Sequence, residues 1–180
     1  PGKRDKKDHK ITDLLYMCQQ LAAHNLNFDD IYSIVRKRYL DICSDLSLSI
    51  GLEDILDEIR ERIAQGASRD YAASRGEYLN GLILSHYLGC RFIDAAELIL
   101  FDENGRFDAK ATDDRINSRL ADVPHAVIPG FYGVMPNGEI KTFSRGGSDI
   151  TGSIIAKGVR AQLYENWTDV SGFLMADPRI

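Results

Sequence analysis

The hydrophobic period of this chain changes at Gly89, and that change constrains the fold more than any other feature of the sequence. Upstream of it, apolar residues recur every three or four positions. Leu14, Leu15, Cys18, Leu21 and Ala22 follow Ile11 at helical spacing, which predicts an amphipathic helix over 12–24, broken by Asn25 and Asn27. A second helix is predicted from Asp29, showing Ile31, Ile34, Val35, Leu40 and Ile42 through a polar background. A third is expected over 52–64, with Ile55, Leu56, Ile59 and Ile63 on one stripe and Gly66 placed to stop it. The fourth should cover 71–88 and stop at Gly89.

Downstream the apolar runs shorten to strand length. Residues 90–93 and 98–101 are strand candidates, with Asp102-Glu103-Asn104-Gly105 supplying turn chemistry. Residues 125–128 form another, bounded by Pro124 and Pro129-Gly130. Asn137-Gly138 marks a hairpin between strands at 131–134 and 139–143. A helix over 149–162, a strand at 163–167 and a final loop complete the pattern. Helices followed by alternating strands and helices predict one layered α/β domain, mainly helical over 11–89 and alternating over 90–180.

Composition excludes more than it selects. A net charge of −5 offers no general footprint for nucleic acid. Lys3, Arg4, Lys6, Lys7 and Lys10 cluster at the start, and either a solvated terminus or a mobile loop attracting anions accounts for them. Cys18, Cys43 and Cys90 stand far apart, as do His9, His24, His86 and His125, so no metal site or disulfide framework is expected. Reduced thiols fit a cytosolic location. No apolar run approaches the roughly 20 residues that span a bilayer.

Three segments carry chemistry. In Phe143-Ser144-Arg145-Gly146-Gly147-Ser148-Asp149, two glycines end a strand and open a helix, with a cation before and a carboxylate after. A helix start favours an anion, and a guanidinium holds a carboxylate through two parallel hydrogen bonds. A plain turn with Ser148 as helix N-cap explains the same residues equally well. Thr168-Asp169 ends a predicted strand, where open α/β sheets bind ligands, yet such a pair also serves as a turn or cap. Ser74-Arg75-Gly76-Glu77 suits an ordinary helix surface. However, a glycine inside a helix costs about 1 kcal/mol relative to alanine, which suggests a close backbone approach there.

Taken in order, Ser74–Glu77, Gly130–Gly133 (Gly-Phe-Tyr-Gly), Arg145–Asp149, Thr168–Gly172 and Asp177-Pro178-Arg179 resemble the aspartate kinases of the wider amino-acid kinase family. Ile11-Thr12-Asp13-Leu14-Leu15 is similar to that family's Thr-[Asn/Asp]-x-Leu helix start. The resemblance implies a three-layer α/β/α sandwich of the carbamate kinase-like type. It also implies ATP-dependent phosphorylation of the L-aspartate side-chain carboxylate, which opens lysine, threonine and methionine biosynthesis, with Mg2+ and a homodimer or higher assembly.

By the same resemblance, Glu77 would bind the substrate ammonium group and Arg145 its α-carboxylate. Thr12, Gly130, Phe131, Gly146, Gly147, Ser148 and Asp149 would complete the pocket, with Arg145 and Asp149 nearest the reacting groups. Thr168, Asp169, Gly172, Asp177 and Arg179 would hold ATP. The sequence departs from the pattern in three ways. The family's opening Lys-[Phe/Tyr]-Gly-Gly-[Thr/Ser]-Ser motif does not occur in residues 1–180, Ser144 replaces a usual glycine, and residues 1–180 are expected to hold no ACT regulatory region. An incomplete catalytic domain, inactive as an isolated chain, is therefore expected. Another amino-acid kinase, acting on a glutamate derivative or a nucleoside monophosphate, is the alternative enzyme. A catalytically inactive ligand-binding fragment is the alternative from a different class.

Overall fold

The computed structural model describes residues 8–144 and 146–167. Four helices come first: α1 (Ile11–Ala23), α2 (Asp29–Asp45), α3 (Leu52–Ala64) and α4 (Arg69–Leu88). Strand β1 (Arg91–Phe92), helix α5 (Ala109–Leu120), strands β2 (Ala126–Val127), β3 (Tyr132–Val134) and β4 (Ile140–Thr142), and helix α6 (Gly147–Gly158) follow. β1 pairs with β2 in parallel, and β3 with β4 as an antiparallel hairpin. Its turn is centred on Pro136-Asn137, one residue before the expected pair: the Gly138 N–H donates to the Met135 carbonyl at 2.9 Å, and Gly138 follows at φ +83°.

The helical half closes on apolar stripes that the sequence shows for α1 and α3. In α2 the buried face is Tyr32, Val35, Tyr39 and Cys43, with Ile34 exposed, rather than the expected Ile31, Ile34, Val35, Leu40 and Ile42. Leu14, Leu15 and Cys18 of α1, Tyr32, Val35 and Tyr39 of α2, and Leu56, Ile59 and Ile63 of α3 form one core with Leu79 and Ile83 of α4. A second core gathers Ile93, Leu98, Ile99, Phe101, Ile116 and Tyr132, and Tyr78 and Ile140 pack against both. α4 is the helix between them. Ser68 caps it, its hydroxyl accepting from the Tyr71 N–H at 3.1 Å, so it starts at Arg69 rather than Tyr71. Gly89, at φ +64°, ends it as expected.

Four further expectations need correction. Residues 98–101 make single bridges rather than a strand, because the Leu100 N–H donates to the Thr112 hydroxyl at 3.0 Å instead of to a neighbouring backbone. Ser148 is not the cap of α6. The cap is Gly146 at φ +58°, and the helix begins two residues earlier than expected, at Gly147. That helix also stops at Gly158, where a Cβ would lie 2.6 Å from Ile116. Among the described residues no backbone hydrogen bond holds 163–167 in a strand, and Leu163 and Trp167 are 75% and 88% exposed.

Helix α5 has no counterpart in the sequence-based expectation. Only Thr112 and Ile116 of it are buried, too narrow a stripe to stand out, though the Asp108 carboxylate caps it by accepting from the Ala111 N–H at 2.9 Å. A one-turn 3-10 segment, Ala95–Glu97, is capped the same way by Asp94.

The two cores are joined through a buried cation. Arg75 of α4 is 5% exposed, and its guanidinium carbon lies 4.7, 4.5 and 5.4 Å from the ring centres of Tyr71, Tyr78 and Tyr132. It donates to the Ser74 hydroxyl at 3.0 and 2.9 Å. Tyr132 in turn donates to Asp94 at 2.6 Å. A desolvated cation–aromatic contact is worth about 2 kcal/mol. Arg75→Ala is accordingly expected to lower stability by at least about 2 kcal/mol, read as a lower urea midpoint at unchanged slope.

Burial pushes the Tyr39 phenol well above its ordinary pKa, and burial together with the Asp94 carboxylate does the same to Tyr132. In the unfolded chain these groups ionise near pH 10, so the unfolded state loses protons first. Stability is therefore fully present below about pH 9 and falls as pH rises past 10. Denaturant titrations across that range should show the fall, with a shallower slope in Tyr132→Phe.

Candidate active site

Helix α4 brings Glu77 to the site by a route the sequence partly shows. A Cβ on Gly76 would stand 3.2 Å from Ile11 Cγ2, so α1 and α4 approach closely there, and Tyr39 donates its hydroxyl to the Gly76 carbonyl at 2.8 Å. The close approach suspected at this glycine is real, and its partner is α1. Glu77, one residue on, is half-buried and has no hydrogen bond or ion pair among the described residues. On the same helix Asp70 is fully engaged: it accepts from the Thr142 hydroxyl at 2.9 Å and backbone N–H at 3.3 Å, and pairs with Lys141 at 3.1 Å.

The opposite wall is the start of α6 with the Gly130-Phe131 segment laid across it. A Cβ on Gly147 would fall 2.9 Å from the Phe131 Cα, and one on Gly130 would fall 3.0 Å from the Ser148 Cα. Only glycines allow the two backbones this spacing. Phe131 takes φ +75°, uncommon for a residue with a side chain. Its N–H donates to the Thr151 hydroxyl at 2.9 Å, and its carbonyl accepts from the Phe143 N–H at 2.9 Å.

Between these walls lies a cleft of about 330 Å³ lined by Thr12, Glu77, Phe131, Gly146, Gly147, Ser148 and Asp149. Two helix starts meet there, that of α1 at Thr12 and that of α6 at Gly147. First-turn N–H groups lack acceptors within their own helix and carry the positive end of its dipole, so both favour an anionic group. Glu77 supplies negative charge at the same cleft. The arrangement suits a small ligand bearing both signs of charge. Asp149 is exposed in the first turn of α6 and accepts from the Asn166 side chain at 3.3 Å.

The structure thus brings Thr12, Glu77, Phe131, Gly146, Gly147, Ser148 and Asp149 around one cleft. Gly130 lines a neighbouring apolar cleft of about 510 Å³ that shares Glu77 and Ser148. Arg145, Thr168, Asp169, Gly172, Asp177 and Arg179 lie outside the described residues, as do the basic residues Lys3, Arg4, Lys6 and Lys7. Among the described residues no cluster of His, Cys, Asp or Glu could hold a metal ion, and no helix is long and apolar enough to cross a membrane. Sequence reasoning missed Thr151, Asp70 and the enclosure of Arg75. A threonine four residues into a helix and an aspartate in a helix's first turn carry no signal of their own.

Residues 16–180 match the amino acid kinase family. The chain belongs to that family. Within it, the chain is 31% identical to aspartokinase 3 of Bacillus subtilis over 99% of its own length and 42% of that protein. The aspartokinase of Saccharomyces cerevisiae is 26% identical over 96% of the chain. The crystal structure of Clostridium acetobutylicum aspartate kinase superposes with a TM-score of 0.93 at 57% identity, over all of this chain and 42% of that one. E. coli aspartokinase III in complex with aspartate and ADP shares the fold, with a TM-score of 0.78 at 24% identity. The chain therefore spans about 42% of these relatives' length. The mixed helix–strand architecture is that of the amino acid kinase fold seen in these aspartate kinases.

The crossing of Gly147 over Phe131 leaves no room for a side chain. Gly147→Ala should cost about 1–3 kcal/mol through overpacking, measured as a fall in the denaturation midpoint. A wild-type midpoint would show that the crossing can open without cost.

Proposed function

We propose that this chain is the aspartate-recognising part of an aspartate kinase catalytic domain, which transfers the γ-phosphoryl group of ATP to the side-chain carboxylate of L-aspartate. The observation that carries the reading is the cleft in which Glu77, without a partner among the described residues, faces two helix starts, lined at motif positions. Relatives named as aspartate kinases, one of them 57% identical, support it.

An amino acid presents an ammonium and a carboxylate at fixed spacing. On this reading Glu77 takes the ammonium, while Arg145 and the start of α6 take the α-carboxylate. That orientation leaves the side-chain carboxylate directed at the nucleotide. The carboxylate oxygen forms the new bond to phosphorus as the bond to the ADP oxygen breaks. With an ordinary pKa near 4, the nucleophile is already ionised at neutral pH and needs no base. Asp149 then organises the reacting groups instead of removing a proton.

Catalysis of this kind rests on in-line positioning and neutralisation of the phosphoryl oxygens. Thr168, Asp169, Gly172, Asp177 and Arg179 are proposed to hold ATP. Magnesium usually enters such sites bound to phosphates and one or two carboxylates, and Asp149 would be the carboxylate of this cleft available to it. The ion would supply charge neutralisation.

The test is aspartate-dependent ADP formation by the full-length protein, with a glutamate derivative and a nucleoside monophosphate run in parallel. Turnover with either alternative and none with aspartate would reject the reading. Glu77→Ala and Arg145→Ala should each cost about 2–5 kcal/mol in aspartate use, with the Michaelis constant for ATP little changed. Arg145→Lys should recover only part of the loss, because an ammonium cannot make the paired contact. Asp169→Ala should instead raise the Michaelis constant for ATP more than that for aspartate, and the reverse order would mean the two sites are exchanged.

A further inference from the structure

We infer that Thr151, which lines the neighbouring apolar cleft and not the smaller one, is a positioning residue that sets the substrate site by holding Phe131 in its left-handed backbone conformation. The inference rests on the reading above for its kinetic consequence, but its geometric content stands apart from it. Phe131 sits at φ +75°, a region that residues with a Cβ rarely adopt. Such conformations persist only where the surroundings over-determine them, and they gather at functional sites.

At Phe131 the surroundings are specific. The Thr151 side chain is 3% exposed, and its single hydroxyl is used twice. It accepts from the Phe131 N–H at 2.9 Å and donates to the Gly147 carbonyl at 2.7 Å. One oxygen thereby ties the strained residue to the glycine it crosses. If φ of Phe131 returned to negative values, its N–H would leave the hydroxyl and the ring would swing out of the cleft lining.

The clamp reaches further than one residue. The Phe131 carbonyl accepts from the N–H of Phe143 at 2.9 Å, and Phe143 precedes Arg145 by two positions. Thr151 thus acts through Phe131 on the approach of the segment that carries the guanidinium. Among the nearby hydroxyls, Thr142 is committed to Asp70 and Ser153 to the Asp149 carbonyl. A valine at 151 keeps the shape and loses both bonds, whereas a serine keeps both bonds and loses a methyl group.

The experiment compares Thr151→Val and Thr151→Ser in the full-length protein, by steady-state kinetics and by amide hydrogen exchange at Phe131. In Thr151→Val the Michaelis constant for aspartate should rise by about tenfold, roughly the worth of one buried hydrogen bond, with kcat and the constant for ATP nearly unchanged. The Phe131 amide should lose protection by a similar factor. Thr151→Ser should match the wild type in both measurements. If Thr151→Val fails to fold, Thr151→Ala carries the same expectation.

Wild-type protection of Phe131 in the valine variant would overturn the inference. So would a serine variant as impaired as the valine one, since the methyl group and not the hydroxyl would then matter. Equal rises in both Michaelis constants would also overturn it. If the wild-type protein shows no aspartate-dependent turnover, the functional reading fails, while the exchange measurement still decides whether Thr151 holds Phe131.

Discussion

Helix α4 packs α1 against one side and the small sheets against the other, so no single stripe of it can carry all the apolar residues. The consequences run through its sequence. Tyr71, Ala72, Ala73, Ser74, Arg75 and Gly76 are all buried, although they include a hydroxyl and a guanidinium. Small residues appear where neighbours come close: Gly76 against Ile11, and Gly81 against Phe92 and Pro129, where a Cβ would lie only 3.2–3.3 Å from the neighbouring atom. The polar groups are satisfied locally, Ser74 donating to the Tyr71 carbonyl at 2.7 Å and accepting from Arg75. A helix built this way tolerates little rotation. Turning it would expose Arg75 to apolar neighbours and drive Gly76 out of register with α1.

That rigidity gives meaning to the contrast between two carboxylates on α4. Asp70 has three partners on β4 and fixes the strand leading toward Arg145. Glu77 lies two turns further on, half-buried, with none among the described residues. Phe131, across the cleft, holds a left-handed backbone conformation whose strain is of the order of 1–3 kcal/mol.

How far the sequence reveals this depends on whether a residue acts alone or through its neighbours. α1 and α3 were legible from apolar spacing, since each buries one stripe against the core. α4 was legible from its terminal signal at Gly89 rather than from its pattern, because burial on both sides erases periodicity. α5 was not legible, since only Thr112 and Ile116 face inward. Residues 98–101 have strand composition, but a side-chain hydroxyl takes the hydrogen bond a neighbouring strand would have made. Thr12, Glu77, Phe131, Gly146, Gly147, Ser148 and Asp149, which share one cleft, were legible through the order of the motifs and the resemblance it carries, since each segment alone also suits a turn or a helix surface. Thr151 was not, because its role comes from a backbone conformation at Phe131 twenty positions away.

On the proposed assignment, the groups for the two charges of an amino acid come from different parts of the chain and must stand at a fixed separation. Glu77 belongs to α4 and to the helical core, while Phe131, α6 and the segment before Arg145 belong with the second core. Their relative placement is set where the cores meet. Arg75 lies two positions before Glu77 and stacks on Tyr132, one position after Phe131. The buried guanidinium thus joins the two cores, with Tyr71 and Tyr78 fixing it on the α4 side and Tyr132 on the other. A lysine would supply the charge but not the flat face that three rings enclose. On the proposed assignment, α4 is rigid because a charge on one helix must be held at a set distance from a helix start on the other side.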